Sequence, residues 1–415
     1  MSEEARQASG WRGPLTGLKV LDLTRVLAGP YATQNLADLG AEVFKVEPPQ
    51  GDETRHFPPY VGGESHYYLA HNRGKKSLVI DARQPAGKDL VLRLAERVDV
   101  LVENFRPGVM DRLGFGYETL AARNPGLVYC SISGFGQTGP LRDMPSFDIV
   151  TQAMSGVISI NGEADRAPVR LGLPLGDMVG GIYGPISILA ALYERSITGR
   201  GRQIDISLHD GLVGMLTYFA QLSFVNGVDP RPVGSMHANI FPYGAFPCTD
   251  GQIVIAVLTE SFWPRFCQAL GLEEIADDPR FRTLADRRVH HVALNEIVFA
   301  TTATKSVAEW EAILKRHDVP HAPILGIGAA LSHPHTLARG MVVTTGHPTA
   351  GTIRMTGRPV KYTGAPQAPL EAPRLLGQDT ADVLRSELGL GDDELRALAD
   401  AGAISTGIAA NGEET

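Results

Sequence analysis

The stretch GLKVLDLTRVLAGPYATQNLADLGAEVFKVEPP, residues 17–49, decides how the chain is read. Residues 17–23 are a short leucine and β-branched run, which predicts a buried strand. Residues 24–30 are a loop punctuated by Gly29-Pro30. Residues 31–39 carry apolar side chains at helical spacing and stop at Gly40, which suits a helix C-cap. Residues 41–47 predict a second strand, ended by Pro48-Pro49. Strand, helix and strand in about 30 residues make a βαβ unit, whose crossover is right-handed.

The pattern repeats outward from that unit. Residues 77–81 predict a strand, 85–97 a helix and 98–103 a strand; 107–113 and 118–124 read as helices and 127–133 as a strand. Residues 170–176 predict a further strand, 178–196 a long helix and 203–208 a returning strand. This alternation predicts an α/β fold with a mainly parallel sheet. Near residue 222 the texture changes to a Gly/Pro-rich crossover. Residues 244–247 and 252–257 then predict an antiparallel pair, and 262–270, 292–302 and 307–317 predict helices, the last capped by Ser306. Strands are expected again at 352–356 and 360–362, and helices at 380–388 and 392–401. The expected division is 1–222 for the first part of a large domain, 223–330 for a linker and smaller α+β domain, and 331–415 for the return to the large one. Residues 1–13 and 406–415 read as polar tails.

Composition narrows the function. The chain has 415 residues, 43% hydrophobic, with 38 basic against 46 acidic side chains and a net charge of −8. That excludes a nucleic-acid binder working by bulk electrostatics. Cys130, Cys248 and Cys267 stand far apart without a CxxC, which fits a reducing cytoplasm and neither a disulfide scaffold nor a zinc ribbon. No apolar run reaches the roughly 18 residues of a spanning helix. Residues 1–13 lack the apolar core of a signal peptide, so a cytoplasmic protein without membrane partners is expected.

In open α/β sheets ligands gather at the carboxyl ends of strands. The loop at 24–30 has one glycine, so neither a dinucleotide GxGxxG nor a Walker A cradle is written there. Lys75 and Lys76 are adjacent lysines at a glycine turn before a strand, a pairing that suits a phosphate or a solvated surface. Asn104, Phe105 and Arg106, with Arg112 one turn into a helix, offer cations beside an aromatic face. Residues 133–140 hold three glycines that permit close backbone approach to a ligand. In Gly176-Asp177, Asp177 ends the expected strand and opens the helix. By itself it reads as an N-cap; its other reading is a carboxylate nucleophile with small neighbours and backbone N–H groups at hand. Among the histidines His237, beside Asn239, is the site candidate. His290-His291 reads as a solvated helix face and His333 and His335 as a turn, so no metal site is expected.

Taken in order, LDLTRVLAGP at 21–30, LGAEVFKVE at 39–47, NRGKKS at 72–77, VENFRPG at 102–108, SGFG at 133–136 and Gly176-Asp177 resemble the class III CoA-transferases, the CaiB/BaiF or formyl-CoA-transferase family, from about Leu15 to Gly402. The resemblance implies a Rossmann-like large domain built from both chain ends, a small middle domain, and two chains interlocked as a homodimer. It implies Asp177 as nucleophile and a CoA site formed by Val26, Leu27, Ala28, Lys75, Lys76, Ile80, Asn104, Phe105 and Arg112. CoA and acyl-CoA are then substrates, with no tightly bound cofactor. Pro48 and Ser133 stand where some formyl-CoA members carry arginine and lysine, so those contacts do not transfer. Phe147 stands where the family's racemases use histidine, which favours a transferase over a racemase. A non-catalytic CoA-binding protein is the remaining alternative. The overall texture resembles the succinyl-CoA:glutarate and related dicarboxylate enzymes. For the acceptor's far carboxylate Arg25 is the first candidate, His237 and Asn239 follow, and Gln137 in the glycine loop is a further substrate candidate. Arg170 is set aside, because seven residues of strand would place it roughly 23 Å from Asp177.

Overall fold

The computed structural model describes residues 13–363 and 368–406, so most of both expected polar tails lies outside the described residues. The expected βαβ unit forms as β1 (Lys19–Asp22), α1 (Ala28–Asp38) and β2 (Glu42–Glu47). It continues as β3 (Lys75–Ile80), α2 (Pro85–Ala95), β4 (Val100–Glu103) and β5 (Val128–Ser133). After α3 (Asp148–Met154) and the long α4 (Leu175–Thr198), β6 (Gln203–Ser207) and α5 (Leu208–Met215) follow. These six strands pair in parallel, and β7 (Ile404–Ser405) adds antiparallel to β3. The seven-stranded sheet runs β7-β3-β2-β1-β4-β5-β6.

Helices cover both faces, so apolar side chains on the strands are buried on either side of the sheet. Leu21, Leu78 and Leu101 pack under Leu90 and Leu94 of α2 and Val383 on one face. Val20, Val43 and Ile132 pack under Ala32 and Leu36 of α1 and Ile188 of α4 on the other. One residue of register separates Val20 from Leu21, so the two cores are set by the period of two in each strand.

The chain forms two compact units. The larger holds the described residues of Met1–Val157, Arg170–Val225 and His335–Thr415; the smaller holds Ile158–Val169 and Asn226–Pro334. Residues 158–169, placed with the first part of the large domain by sequence, thus group with the smaller unit, where the Gly234 N–H donates to the Gly162 carbonyl at 2.9 Å. Inside that unit Tyr243–Cys248, Gly251–Ala256 and His321–Pro323 form an antiparallel sheet. Its core is Phe246, Ile253, Phe266 and Trp310. Ser306 caps its helix in a capping box with Glu309.

Three expectations fail. Residues 170–176 are not a strand: Gly172 and Pro174 interrupt the run, and α4 begins at Leu175. Residues 360–362 are not a strand either; Gly351–Thr356 pairs with Val342–His347 instead. Finally, α4 contains an 18-residue window of mean hydropathy 1.4, long and apolar enough to cross a membrane. Its inner face is core, since Cβ atoms at Gly180 and Gly184 would lie 3.1 Å and 3.4 Å from Ile132.

Candidate active site

In this strand order the direction of winding reverses between β1 and β4, and the loops after those strands diverge to leave a crevice. The loop after β1 is fixed by side chains from four places. The Asp22 carboxylate accepts the Thr24 N–H at 2.8 Å and Lys45 Nζ donates to the Thr24 carbonyl at 2.8 Å. Asn104, just after β4, accepts the Arg25 N–H at 2.9 Å and donates to the Arg25 carbonyl at 2.8 Å. Asp52 accepts the Val26 N–H at 3.3 Å. These bonds hold Val26 at φ +67°, a left-handed conformation that costs a β-branched residue free energy.

Beneath the loop lies a buried set of charges: Asp22 with Lys75 at 3.1 Å, Asp52 with Lys45 at 3.0 Å, and Glu47 with Arg55 at 2.7 Å. Burial alone would raise the Asp52 carboxyl, but Lys45 and the Thr54 N–H pull it down to about 2. Burial lowers the Lys75 ammonium to about 8, against the opposing pull of Asp22.

Above the loop a cavity of about 280 Å³ opens at the carboxyl ends of β1 to β4, lined among others by Arg25, Ile80, Arg83, Phe105 and Phe115. The Arg25 guanidinium lies 5.1 Å from the Phe105 ring centre and pairs with Glu53 at 2.7 Å. Cations over an aromatic and aliphatic floor suit a phosphate-bearing ligand with a flat base.

The sequence candidates divide accordingly. Ile80, Phe105 and Arg25 line this cavity, and Asn104 pins its rim. Leu27 and Ala28 are buried at the start of α1. Arg112 is exposed on the helix Val109–Leu113. Arg25, the first acceptor candidate, lines the same cavity as the CoA candidates Ile80 and Phe105, and that lining does not include Asp177. Lys75 and Lys76 are not an exposed basic turn. They open β3 at its amino end, opposite the cavity. Lys75 is buried, donating to Asp22, the Pro30 carbonyl and Asn72, while Lys76 pairs with Glu42 at 2.5 Å. The Gln137 N–H is held by Asp205 at 2.9 Å. His237 and Asn239 belong to the smaller unit, where His237 Nδ1 accepts the N–H groups of Asn239 and Ile240 and so organises its own turn.

Asp177 is the third residue of α4, partly buried, and it is not the N-cap: Pro174 holds that place. The first-turn N–H groups of Gly176 and Asp177 point at Asp148 of α3, at 2.8 Å and 3.4 Å, and so are not free for an oxyanion. The nearby glycines are filled rather than open. A Cβ at Gly180 would come within 2.5 Å of Leu208, and one at Gly181 within 2.4 Å of Tyr31. Burial first, and then the Asp148 charge, raise the Asp177 carboxyl to about 7. Tyr67 is pushed up to about 12 by burial and by the charges of Asp177 and Asp148. Strongly shifted carboxyls cluster at functional sites. Sequence reading missed Asp148, Arg83, Lys45 and Asp52. Arg83 carried a usable signal, three residues beyond Ile80 at a strand's carboxyl end; the other three are marked only by tertiary contacts.

Comparison with known proteins identifies the family and the fold. The model of CoA-transferase family III matches residues 15–380. The chain is 40% identical to the acetyl-CoA:oxalate CoA-transferase of Acetobacter aceti, over 91% of this chain and 96% of that one. It is 38% identical to the succinyl-CoA:glutarate CoA-transferase of Mus musculus, over 94% of this chain and 90% of that one. A crystal structure of a CAIB/BAIF family protein from Brucella suis matches with a TM-score of 0.81 and 36% identity, covering 91% of this chain and 100% of that chain. The chain carrying this cavity and this raised aspartate belongs to CoA-transferase family III, enzymes whose substrates are CoA thioesters.

Proposed function

We propose that the enzyme moves CoA from an acyl-CoA such as succinyl-CoA to a small dicarboxylate, with Asp177 as nucleophile. The observation that carries this is the raised, partly buried Asp177 carboxyl at the first turn of α4. The Asp177 carboxylate attacks the thioester carbonyl; the C–S bond breaks, a mixed anhydride forms and CoA thiolate leaves. The thiolate attacks the aspartyl carbonyl, releasing the donor acid and leaving an aspartyl-CoA thioester. The acceptor carboxylate attacks that thioester, and the released thiolate takes the acceptor's acyl group and frees Asp177. Thioesters stand on both sides, so the exchange is nearly thermoneutral and draws its rate from covalent catalysis. The cavity over Phe105 takes the nucleotide end of CoA, with Arg25 and Arg83 toward its phosphates.

The dicarboxylate reading is supported by relatives whose names carry oxalate and glutarate as acceptors. Turnover with succinyl-CoA and a panel of two- to six-carbon mono- and dicarboxylates tests it. Dicarboxylates are expected to exceed monocarboxylates of equal length by tenfold or more in kcat/KM, about 1.4 kcal/mol, as one paired carboxylate supplies. Preference for monocarboxylates would overturn the acceptor class and leave the CoA-transfer chemistry standing.

The homodimer is part of the same proposal. The outer face of α4 exposes Ile186, Tyr193 and Ile197, and the helix Tyr218–Asn226 exposes Phe224 and Val225 at 79% and 73%. Large apolar side chains exposed to this extent along a helix suit cover by a partner. Light scattering should give twice the chain mass; a monomer across the micromolar range would refute the assembly.

A further inference from the structure

The carboxylate that meets the N-terminus of α4 comes from another helix. Asp148 opens α3; its Oδ1 accepts the N–H of Gly176 at 2.8 Å and of Asp177 at 3.4 Å. Its Oδ2 accepts from Gln152 Nε2 at 2.7 Å. Gln152 is fully buried and is itself tied to the segment leading into α4: it donates to the Leu173 carbonyl at 3.2 Å and accepts the Leu171 N–H at 3.1 Å. Both Asp148 oxygens are therefore fixed. Glycine at 176 makes the approach possible, since a Cβ there would sit 2.7 Å from Thr151 Oγ1 and 3.1 Å from Asp148 Oδ1.

We propose that Asp148 is a positioning residue for Asp177: it caps the helix turn that carries the nucleophile and stands beside it as a fixed like charge. A capping carboxylate satisfies N–H groups that the helix cannot satisfy itself, and it orients the turn. A like charge nearby disfavours ionisation and so makes the neighbouring carboxylate more basic, hence a stronger nucleophile. The raised Asp177 carboxyl agrees, with burial the larger cause and Asp148 the second.

The other titratable groups on elements packed against α4 are otherwise engaged. His209 and Asp210 on α5 contact each other at 3.2 Å, and Asp205 on β6 holds the Gln137 N–H. Tyr129 and Cys130 on β5 are pushed up by burial, and Asp38 at the far end of α1 pairs with Arg73. Tyr31 on α1 packs against Gly181, and Tyr67 is itself pushed up to about 12.

The proposal rests on Asp177 as nucleophile, so the test separates the two. The pH dependence of kcat/KM, which reports the free enzyme, is measured for the wild type, Asp148→Asn and Asp148→Ala. Asparagine keeps an acceptor oxygen and loses the charge, so its acid limb should move to lower pH by about one unit. Alanine loses the cap as well, so its kcat at the pH optimum should fall about tenfold or more, with a smaller change in acyl-CoA KM. Superposed acid limbs for the wild type and Asp148→Asn would overturn the electrostatic role. An unchanged kcat in Asp148→Ala would overturn the capping role. Asp177→Asn in the same assay decides the underlying reading: turnover there removes the nucleophile itself. An inactive Asp177→Asn beside wild-type behaviour in both Asp148 variants removes only the role of Asp148.

Discussion

Asp177→Ala should lose roughly four decades of kcat, as removal of a covalent nucleophile does. CoA affinity should survive, because Asp177 does not line the cavity that holds Arg25, Ile80 and Phe105. Hydroxylamine or borohydride treatment after incubation with acyl-CoA should mark Asp177 in the wild type by peptide mass. Near-normal turnover in the variant would end the covalent mechanism. Stability adds an independent readout. An N-cap reading of Asp177 predicts a loss of about 1 kcal/mol on substitution. The structure reverses that sign, because Pro174 holds the cap position and the Asp177 carboxyl is raised to about 7. A raised carboxyl holds its proton more tightly in the folded than in the unfolded chain. Its stabilising contribution is complete below the unfolded pKa and is lost as the pH rises through about 7. Asp177→Asn cannot ionise, so it should be more stable than the wild type on the alkaline side and lose that advantage in acid. Urea titrations on both sides of neutrality measure the difference; a less stable variant at alkaline pH would contradict the assignment.

Lys75→Met should destabilise the fold by about 3 kcal/mol or more, because it strands a buried carboxylate. Asp22 is fully buried and its carboxyl is held low against burial by Lys75 and then Lys45. Without Lys75 its remaining partners include the Thr24 N–H and the Thr33 hydroxyl. Asp22 also anchors Thr24, so the β1 loop should loosen and the acyl-CoA KM rise as a secondary effect. Lys76→Met is the control. Its pair with Glu42 is well exposed, at 39% and 38%, so stability should change by less than about 1 kcal/mol. Acyl-CoA KM should stay level, since Lys76 sits at the amino end of β3. Phe105→Ala, in the cavity, should raise that KM about fivefold, roughly 1 kcal/mol of lost ring contact. A KM response to Lys76 as large as that to Phe105 would return the phosphate site to the amino end of the sheet.

The contrast between Lys75 and Phe105 shows where sequence stops informing. Residue type and position near a strand make both candidates for a phosphate-bearing ligand, and the family resemblance makes that ligand CoA. Phe105 follows the carboxyl end of β4, and strand direction alone assigns it to the ligand side of a parallel sheet. Lys75 begins β3, and its side chain runs along the sheet face to Asp22, 53 residues earlier. Nothing in NRGKKS distinguishes an ammonium facing solvent from one buried against a carboxylate two strands away in the sheet.

By itself the sequence determined the alternation of strands and helices that makes a mainly parallel α/β sheet, and the change of texture into a second unit. Those features are written locally, in apolar period, in Gly40 and Pro48-Pro49, and in the Ser306 cap, and each is satisfied within a few residues. Only the tertiary structure decided that Asp148 caps α4, that Lys75 is internal and that residues 158–169 join the smaller unit. It also decided that Gly176, Gly180 and Gly181 are filled by neighbouring side chains. Each of these is a contact between segments distant in sequence, set by how the helices pack on the sheet. A side chain's type is fixed by the gene, but its partner, its burial and hence its proton affinity are fixed by that packing.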